Sequence, residues 1–291
     1  MDYGIIQDFL LAAYEGSPLA ESTIAAYSAI VYQFMGWAAE NGAMTPTEVM
    51  RTDIRGYVAR IMDGSLKPAT VASRIVALRS FFSSLYNRGI IGMDPTADFR
   101  PRPVKAVPRF LPPQQASDYL DSIDTRKPTG ARNRAMAEMI YGSALRTKEL
   151  VGLNVGDIDL THAEVGPRRQ MMSEPSVEWA RRYLRGERRR MAALYPQPGA
   201  DAAFLSSTSG RRLSARGAYE ALRSDDTFGG TPVTPRILRL SCGYALARGG
   251  MSLIALREFM GYKSIPGSLT AMFGAGRNLE TLRRCHPRGK S

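Results

Sequence analysis

Between Pro101 and Pro113 the chain reads Pro-Arg-Pro-Val-Lys-Ala-Val-Pro-Arg-Phe-Leu-Pro-Pro, with five prolines, three bases and no acid. Each proline fixes φ and lacks a backbone donor, so neither a regular helix nor an inner strand can run through this stretch. No single core can be built from elements continuous across it. The chain therefore divides into residues 1–100 and residues 114–291, joined by a semi-stiff linker at 101–113 whose charges stay in water. With 291 residues in all, each part is long enough to close its own core.

A content of 44% hydrophobic and 23% charged residues makes both parts globular rather than disordered. No apolar run reaches the ~18 residues of a membrane span and no basic-then-apolar segment opens the chain, so a cytoplasmic protein with no membrane partner is expected. Cys242 and Cys285 are too few for a disulfide framework, and with His162 and His286 as the only histidines they lack partners for zinc. Neither a metal nor a cofactor is expected.

The net charge of +12 is unevenly placed. Of 39 bases and 27 acids, residues 1–105 hold 10 and 10, which leaves 29 and 17 in residues 106–291. A one-sided basic surface is the footprint of a polyanion partner, most often nucleic acid, and the predominance of arginine suits bidentate contacts to phosphate and guanine. The alternative is an arginine-rich solvated surface. Arg102, Lys105 and Arg109 are open to the same two readings, as phosphate contacts or as the side chains of a plain spacer.

Residues 1–100 read as helices throughout. Tyr27, Ile30, Val31, Phe34 and Ala38 fall at i, i+3, i+4, i+7 and i+11, one apolar stripe of a helix from Ser22 to Ala39, with Ser22 as N-cap and Asn41-Gly42 as the stop. A second helix is expected over Thr47–Asp63. A third runs from Pro68 to Tyr86 with Ile75, Leu78, Phe82 and Leu85 on one face, ended by Asn87-Arg88-Gly89. A short opening helix at Ile5–Tyr14 completes four.

The second part is expected to hold helices at Gln114–Ile123 and Gly130–Gly142, with Arg146 at the turn into a new helix. Two short strands, Asp157–Leu160 and Ala163–Val165, suggest a small antiparallel sheet. An arginine-rich helix is expected over Pro175–Leu194, a turn and helix over Ser206–Arg223, and a mobile loop over Asp225–Thr231. Thr234-Pro235 then opens a helix that sets Arg236 and Arg239 one turn apart. Tyr183, Tyr219 and Tyr244 lie on apolar helix faces and read as core.

YGSALRTKELVGLNVGDIDL, from Tyr141, resembles the first catalytic box of the tyrosine site-specific recombinases, the lambda-integrase family, whose Y-G-T-G-L-R-x-x-E-L-x-x-L pattern carries an essential arginine. TPRILRLSCGYALARGGMSLIALREFMGYKSI, from Thr234, resembles the second box, P-H-x-L-R-H-x-F-A-T-x-L followed by a helix ending L-G-H. The resemblance covers nearly the whole chain in order and spacing. It implies a mainly α protein: an N-terminal four-helix core-binding domain, and a C-terminal mixed α/β recombinase-type domain, mostly helical with a small antiparallel sheet.

A member of this family cuts one DNA strand with a tyrosine and exchanges strands without metal or cofactor. The chemistry needs two arginines on the phosphate oxygens, a proton donor and the tyrosine nucleophile. By this resemblance Arg146 and Arg239 are the phosphate clamp and Glu149 supports Arg146. The remaining positions depart from the pattern. Arg236 stands at the usual histidine, and a guanidinium does not exchange protons near neutral pH. Tyr262 stands at the usual histidine or tryptophan, with one hydrogen bond to give, and reads first as packing at a helix end. The hairpin lysine is missing from a shortened turn that carries Arg168 and Arg169 as DNA contacts. The nucleophile's place falls on Phe273, or on Ala271 in ungapped register.

Three readings follow. The first is a double-stranded-DNA-binding relative of the recombinases with lost or attenuated cleavage. The second is an active recombinase whose nucleophile was changed to Phe273. The third is a non-DNA scaffold that reuses the fold. The resemblance also implies a homo-oligomer, dimer or tetramer, on DNA or a partner recombinase, with Asn278–Leu282 as a docking segment before a basic tail at Arg283–Lys290.

Overall fold

The computed structural model describes residues 2–64, 66–100, 109–127, 129–195, 201–267 and 269–270. The chain forms two compact units, Met1–Ala106 and Val107–Ser291. Arg102, Lys105, Ala271, Phe273 and the segments at 278–282 and 283–290 lie outside the described residues.

The first unit holds helices α1 (Tyr3–Tyr14), α2 (Glu21–Glu40), α3 (Arg51–Asp63) and α4 (Pro68–Asn87). Val31, Phe34 and Ala38 of the α2 stripe are fully buried, with Tyr27 and Ile30 packed at the edge of the same core. The Phe34 ring meets Tyr57 of α3 and Phe82 of α4 edge-on, at centroid distances of 5.1 and 5.8 Å. Ser84 Oγ donates to Ala13 O at 2.6 Å and pins α1 to α4.

Three helix starts differ from the expectation: α1 begins at Tyr3 rather than Ile5, with Asp2 Oδ1 at the N-cap accepting from Gly4 N at 2.8 Å. α2 begins one residue before Ser22, with Ala20 at the N-cap and the Thr23 and Ile24 amides bonded to its carbonyl. α3 begins at Arg51 rather than Thr47. The Glu48 carboxylate accepts from Met44 N at 2.7 Å and from Thr45 Oγ1 at 3.1 Å, which closes a turn at 45–48. Asp53 then caps Met50 N at 2.8 Å.

The second unit opens with α5 (Pro113–Ser122), α6 (Gly130–Ser143), α7 (Thr147–Gly152) and a 3₁₀ turn at Val155–Asp157. Leu111, at the end of the expected linker, is fully buried and donates its N–H to Ser241 Oγ at 2.7 Å. Beside it Phe110 stacks on Tyr244 at 4.1 Å. Helix α6 is the central element: Ala135, Met136, Ala137, Met139 and Ile140 are all fully buried, as a helix surrounded on every side requires.

Strands β1 (Ile158–Asp159), β2 (Glu164–Val165) and β3 (Gln170–Met171) form an antiparallel sheet in that order. The register pairs Ile158 with Val165 and Val165 with Gln170, so these three share one face. All three are buried, whereas Met171 is 72% exposed. Strand β3 had no counterpart in the sequence reading.

The single helix expected over Pro175–Leu194 is two, α8 (Glu174–Arg185) and α9 (Glu187–Leu194). The break is Gly186, at φ −103 and ψ −95, a conformation far from helical that glycine reaches with little cost. Glu187 reopens the helix and its carboxylate accepts from Arg132 N at 3.0 Å. The arginines therefore disperse: Arg181 pairs with Glu178, Arg182 covers the Trp179 ring and Arg188 donates to Ala202 O.

Beyond α10 (Ala215–Leu222), residues 225–231 are not a loop but most of a hairpin, β4 (Ser224–Phe228) and β5 (Thr231–Val233). Gly229 and Gly230, at φ +60 and +80, supply the two-residue turn. Phe228 meets Tyr119 edge-on at 5.6 Å and fixes the hairpin to α5. Helices α11 (Pro235–Arg248) and α12 (Leu253–Phe259) follow. Of the three tyrosines read as core, Tyr183 is fully buried and Tyr244 is half-buried, but Tyr219 is 40% exposed because α10 turns that edge to solvent.

Candidate functional site

Three helix ends meet in the second unit. Helix α6 stops at Ala144, which takes the left-handed conformation at φ 50, and two residues later Arg146 leads into α7. Glu149, one turn into α7, accepts from Arg146 N at 2.7 Å through one carboxylate oxygen and from Arg146 Nη1 at 2.7 Å through the other. The arginine is thus held by its own helix's first acid.

Helix α12 ends in a two-bond glycine cap. Gly261, at φ +62, donates to Glu258 O at 2.9 Å, and Tyr262 N donates to Arg257 O at 3.0 Å. This cap leaves the carbonyls of Met260 and Gly261 unused within the helix. Arg239 Nη2 donates to Met260 O, and Arg146 Nη2 donates to Gly261 O.

Arg239 sits on the buried face of α11, whose start is fixed by Pro235 in its first turn and by Thr234 Oγ1 accepting from Ile237 N at 3.2 Å. Only 9% of the residue is exposed. Its Nε donates to Ala144 O at 2.7 Å and its Nη1 to Tyr262 Oη at 3.1 Å. The guanidinium thereby bridges the ends of α6 and α12. Burial lowers its pKa from the ordinary value, opposed by Tyr262 and Glu149, and the group stays charged throughout the physiological range. The Tyr262 ring lies beside both arginines, 4.9 Å from the Arg239 guanidinium carbon and 5.9 Å from that of Arg146. Cys242, three residues on in α11, is a neutral packing group, its thiol pushed up to about 12 by burial.

The hairpin arginines separate. Arg168 turns inward, with Nη2 on Glu149 Oε1 at 3.0 Å and its guanidinium against Gly261, where an added Cβ would lie 1.9 Å from Nη1. Arg169 turns outward to Glu164 and is 73% exposed. Arg236 projects into solvent from α11 and makes no hydrogen bond or ion pair among the described residues. Arg109 is likewise exposed and unpaired among them. Lys148 lines the cleft beside Glu149 and Arg168. Among the described residues no three His, Cys, Asp or Glu side chains are grouped to hold a metal.

Gln170 has no place in the sequence motifs. Its side-chain amide nitrogen donates to Ser143 O at 2.8 Å and to Phe259 O at 3.0 Å, the last residues of α6 and α12. A lone uncharged polar residue beside two methionines is its only signature in the sequence. Nothing in that signature says which way it points.

The site is thus three guanidiniums gathered by one carboxylate and a row of helix-end carbonyls, with a phenol among them. The phage integrase family is matched over residues 109–267, more than half the chain, and the phage integrase N-terminal SAM-like domain over residues 6–89. A tyrosine recombinase XerC from Pelotomaculum thermopropionicum is 31% identical over 262 residues, which covers 86% of each chain. The fold is shared with the Tn1549 transposon integrase in complex with circular intermediate DNA, at a TM-score of 0.70, 16% identity, and 96% and 98% of the two chains. It is shared also with a lambda integrase dimer bound to a COC′ core site, at a TM-score of 0.65 and 14% identity over 96% and 98%. The chain belongs to the phage integrase family of tyrosine recombinases.

Proposed function

We propose that this protein binds double-stranded DNA through a phosphate clamp of Arg146 and Arg239, joined by Arg168 and Arg236, and does not cleave the strand it holds. One observation carries the reading: two guanidiniums are aimed and held beside the same Tyr262 ring by fixed backbone carbonyls and Glu149. Pre-aimed cations of this kind bind a phosphate's non-bridging oxygens without reorganising. Cleavage needs more than a clamp. The position of the nucleophile falls in the sequence on Phe273, or Ala271, and neither side chain has an oxygen to attack phosphorus. Arg236 offers a guanidinium, a donor-only group that binds phosphate, where a histidine would transfer a proton. The role that follows from binding without cleavage is architectural or regulatory.

Two measurements test this. Incubation with nicked suicide duplexes carrying the selected site is expected to leave no covalent protein–DNA adduct on a denaturing gel; an adduct mapped to any residue of this chain overturns the loss of cleavage. Arg146→Ala and Arg239→Ala are each expected to weaken binding to a site-containing duplex more than to random DNA. Equal losses on both would remove the clamp.

A further inference from the structure

The two carbonyls that hold Arg239 are each one residue beyond the two that hold Gln170. Ser143 O and Phe259 O accept from Gln170 Nε2, while Ala144 O and Met260 O accept from Arg239. One amide and one guanidinium therefore span the same pair of helix ends, a residue apart. Terminal carbonyls of a helix have no partner within it and must find one elsewhere. Here each helix end finds two, and both donors reach across to the other helix.

Gln170 reaches this place from the sheet. Its strand partner Val165 and that residue's partner Ile158 are apolar, and Gln170 continues their buried face at 7% exposure. Isolated polar groups on such a face are costly unless bonded, and an amide nitrogen with two hydrogens satisfies two carbonyls at once. Its two distances, 2.8 and 3.0 Å, are those of full hydrogen bonds.

We infer that Gln170 is a positioning residue for Arg239: it sets the separation of the α6 and α12 ends and so the direction of the guanidinium fork. The effect extends to Arg146, which bonds to Gly261 O in the same cap. The consequence for DNA rests on the phosphate-clamp reading above; the link between Gln170 and Arg239 does not.

The test separates the two. In the full chain with ¹⁵N-labelled arginine, hydrogen exchange of the Arg239 Nε proton is followed by NMR in the free protein. Gln170→Ala is expected to speed that exchange about tenfold, the factor set by loss of a hydrogen bond's net contribution. Gln170→Asn, one methylene shorter, is expected to give an intermediate effect and serves if the alanine variant does not fold. Arg212→Ala is the control, because Arg212 also bridges carbonyls, those of Val151 and Leu153, with no contact to Arg239. It should lower stability and leave the Arg239 exchange unchanged. If Gln170→Ala lowers stability but leaves that exchange as in the wild type, Gln170 is structural only and the inference fails.

The DNA arm is a double-mutant cycle. Gln170→Ala should weaken site binding about tenfold with Arg239 present, and less than about twofold with Arg239→Ala, since coupled residues are not additive. Additive losses overturn the inference. If exchange accelerates while Arg239→Ala leaves DNA affinity intact, Gln170 positions Arg239 and the clamp reading falls.

Discussion

Arg239→Lys keeps the charge and removes the fork, and the cost follows from the three acceptors. Ala144 O lies at Nε, Tyr262 Oη at Nη1 and Met260 O at Nη2. A lysine ammonium at the end of the side chain that keeps Met260 O leaves Ala144 O, on a fully buried residue, and Tyr262 Oη without their donor. An orphaned buried carbonyl costs about 1–3 kcal/mol, and loss of the hydroxyl bond adds about 1 kcal/mol. The sum is about 2–4 kcal/mol. For a unit of this size that lowers the midpoint by roughly 5–15 °C. The assay is calorimetry of the full chain without DNA, with Arg236→Lys as the exposed-site control, expected within about 0.5 kcal/mol of wild type. An Arg239→Lys midpoint equal to that of the control would refute the bridging of α6 to α12 by Arg239.

Other perturbations separate binding from folding. Arg236→Ala should leave thermal stability unchanged, because the side chain is exposed and unpaired among the described residues. It should also reduce the slope of log affinity against log salt by about 0.9, the contribution of one phosphate contact. Gly261→Ala forces a left-handed residue to carry a Cβ 1.9 Å from Arg168 Nη1, so about 1 kcal/mol of stability and the Arg168–Glu149 bond are both expected to go. Arg168→Ala should match its loss of DNA affinity without the glycine strain; a Gly261→Ala protein with wild-type affinity would contradict that. Asp159 has its pKa depressed to about 2, first by the His162 N–H and then by the His162 ring and the Thr161 N–H. A depressed carboxylate stabilises the fold above its unfolded value and loses that contribution as pH falls through the folded one. Thermal midpoints of wild type and Asp159→Asn should therefore converge between about pH 4 and about pH 2.

The helical framework was legible because burial leaves a period of 3.6, as in the Val31, Phe34 and Ala38 stripe. What was missed has no such period. Strand β3 is two residues long, and one inward and one outward side chain do not make a pattern. The Asp225–Thr231 segment is acidic and glycine-rich and reads as a loop; the hairpin is fixed by Phe228 on Tyr119, a contact between residues distant in sequence. Gly186 broke a run whose arginines suggested one continuous face. At the site, Arg146, Glu149 and Arg239 could be picked out by resemblance, yet their acceptors could not. Backbone carbonyls carry no residue identity, so neither the Arg239 bridge nor the Gln170 bridge was readable. Tyr262 was assigned to packing, and the structure gives it a packing role and a hydrogen bond to Arg239 together.

Those carbonyl bridges change what the presence of an arginine means. Arg239 is needed by the fold: without it two helix ends lose a shared donor, whether or not DNA is bound. A chain that had abandoned DNA altogether would still be held to an arginine there. Arg236 is different, since it is exposed on α11 and serves no described contact. Arg146 stands between, tied to Glu149 yet with 41% of its side chain open to solvent. An exposed, unpaired guanidinium one helical turn before Arg239 gives little to stability and is open to an anion. The case for a bound phosphate therefore rests more on Arg236 and on the open part of Arg146 than on the buried Arg239, and Arg236→Ala is the variant in which loss of DNA affinity cannot be a by-product of a loosened fold.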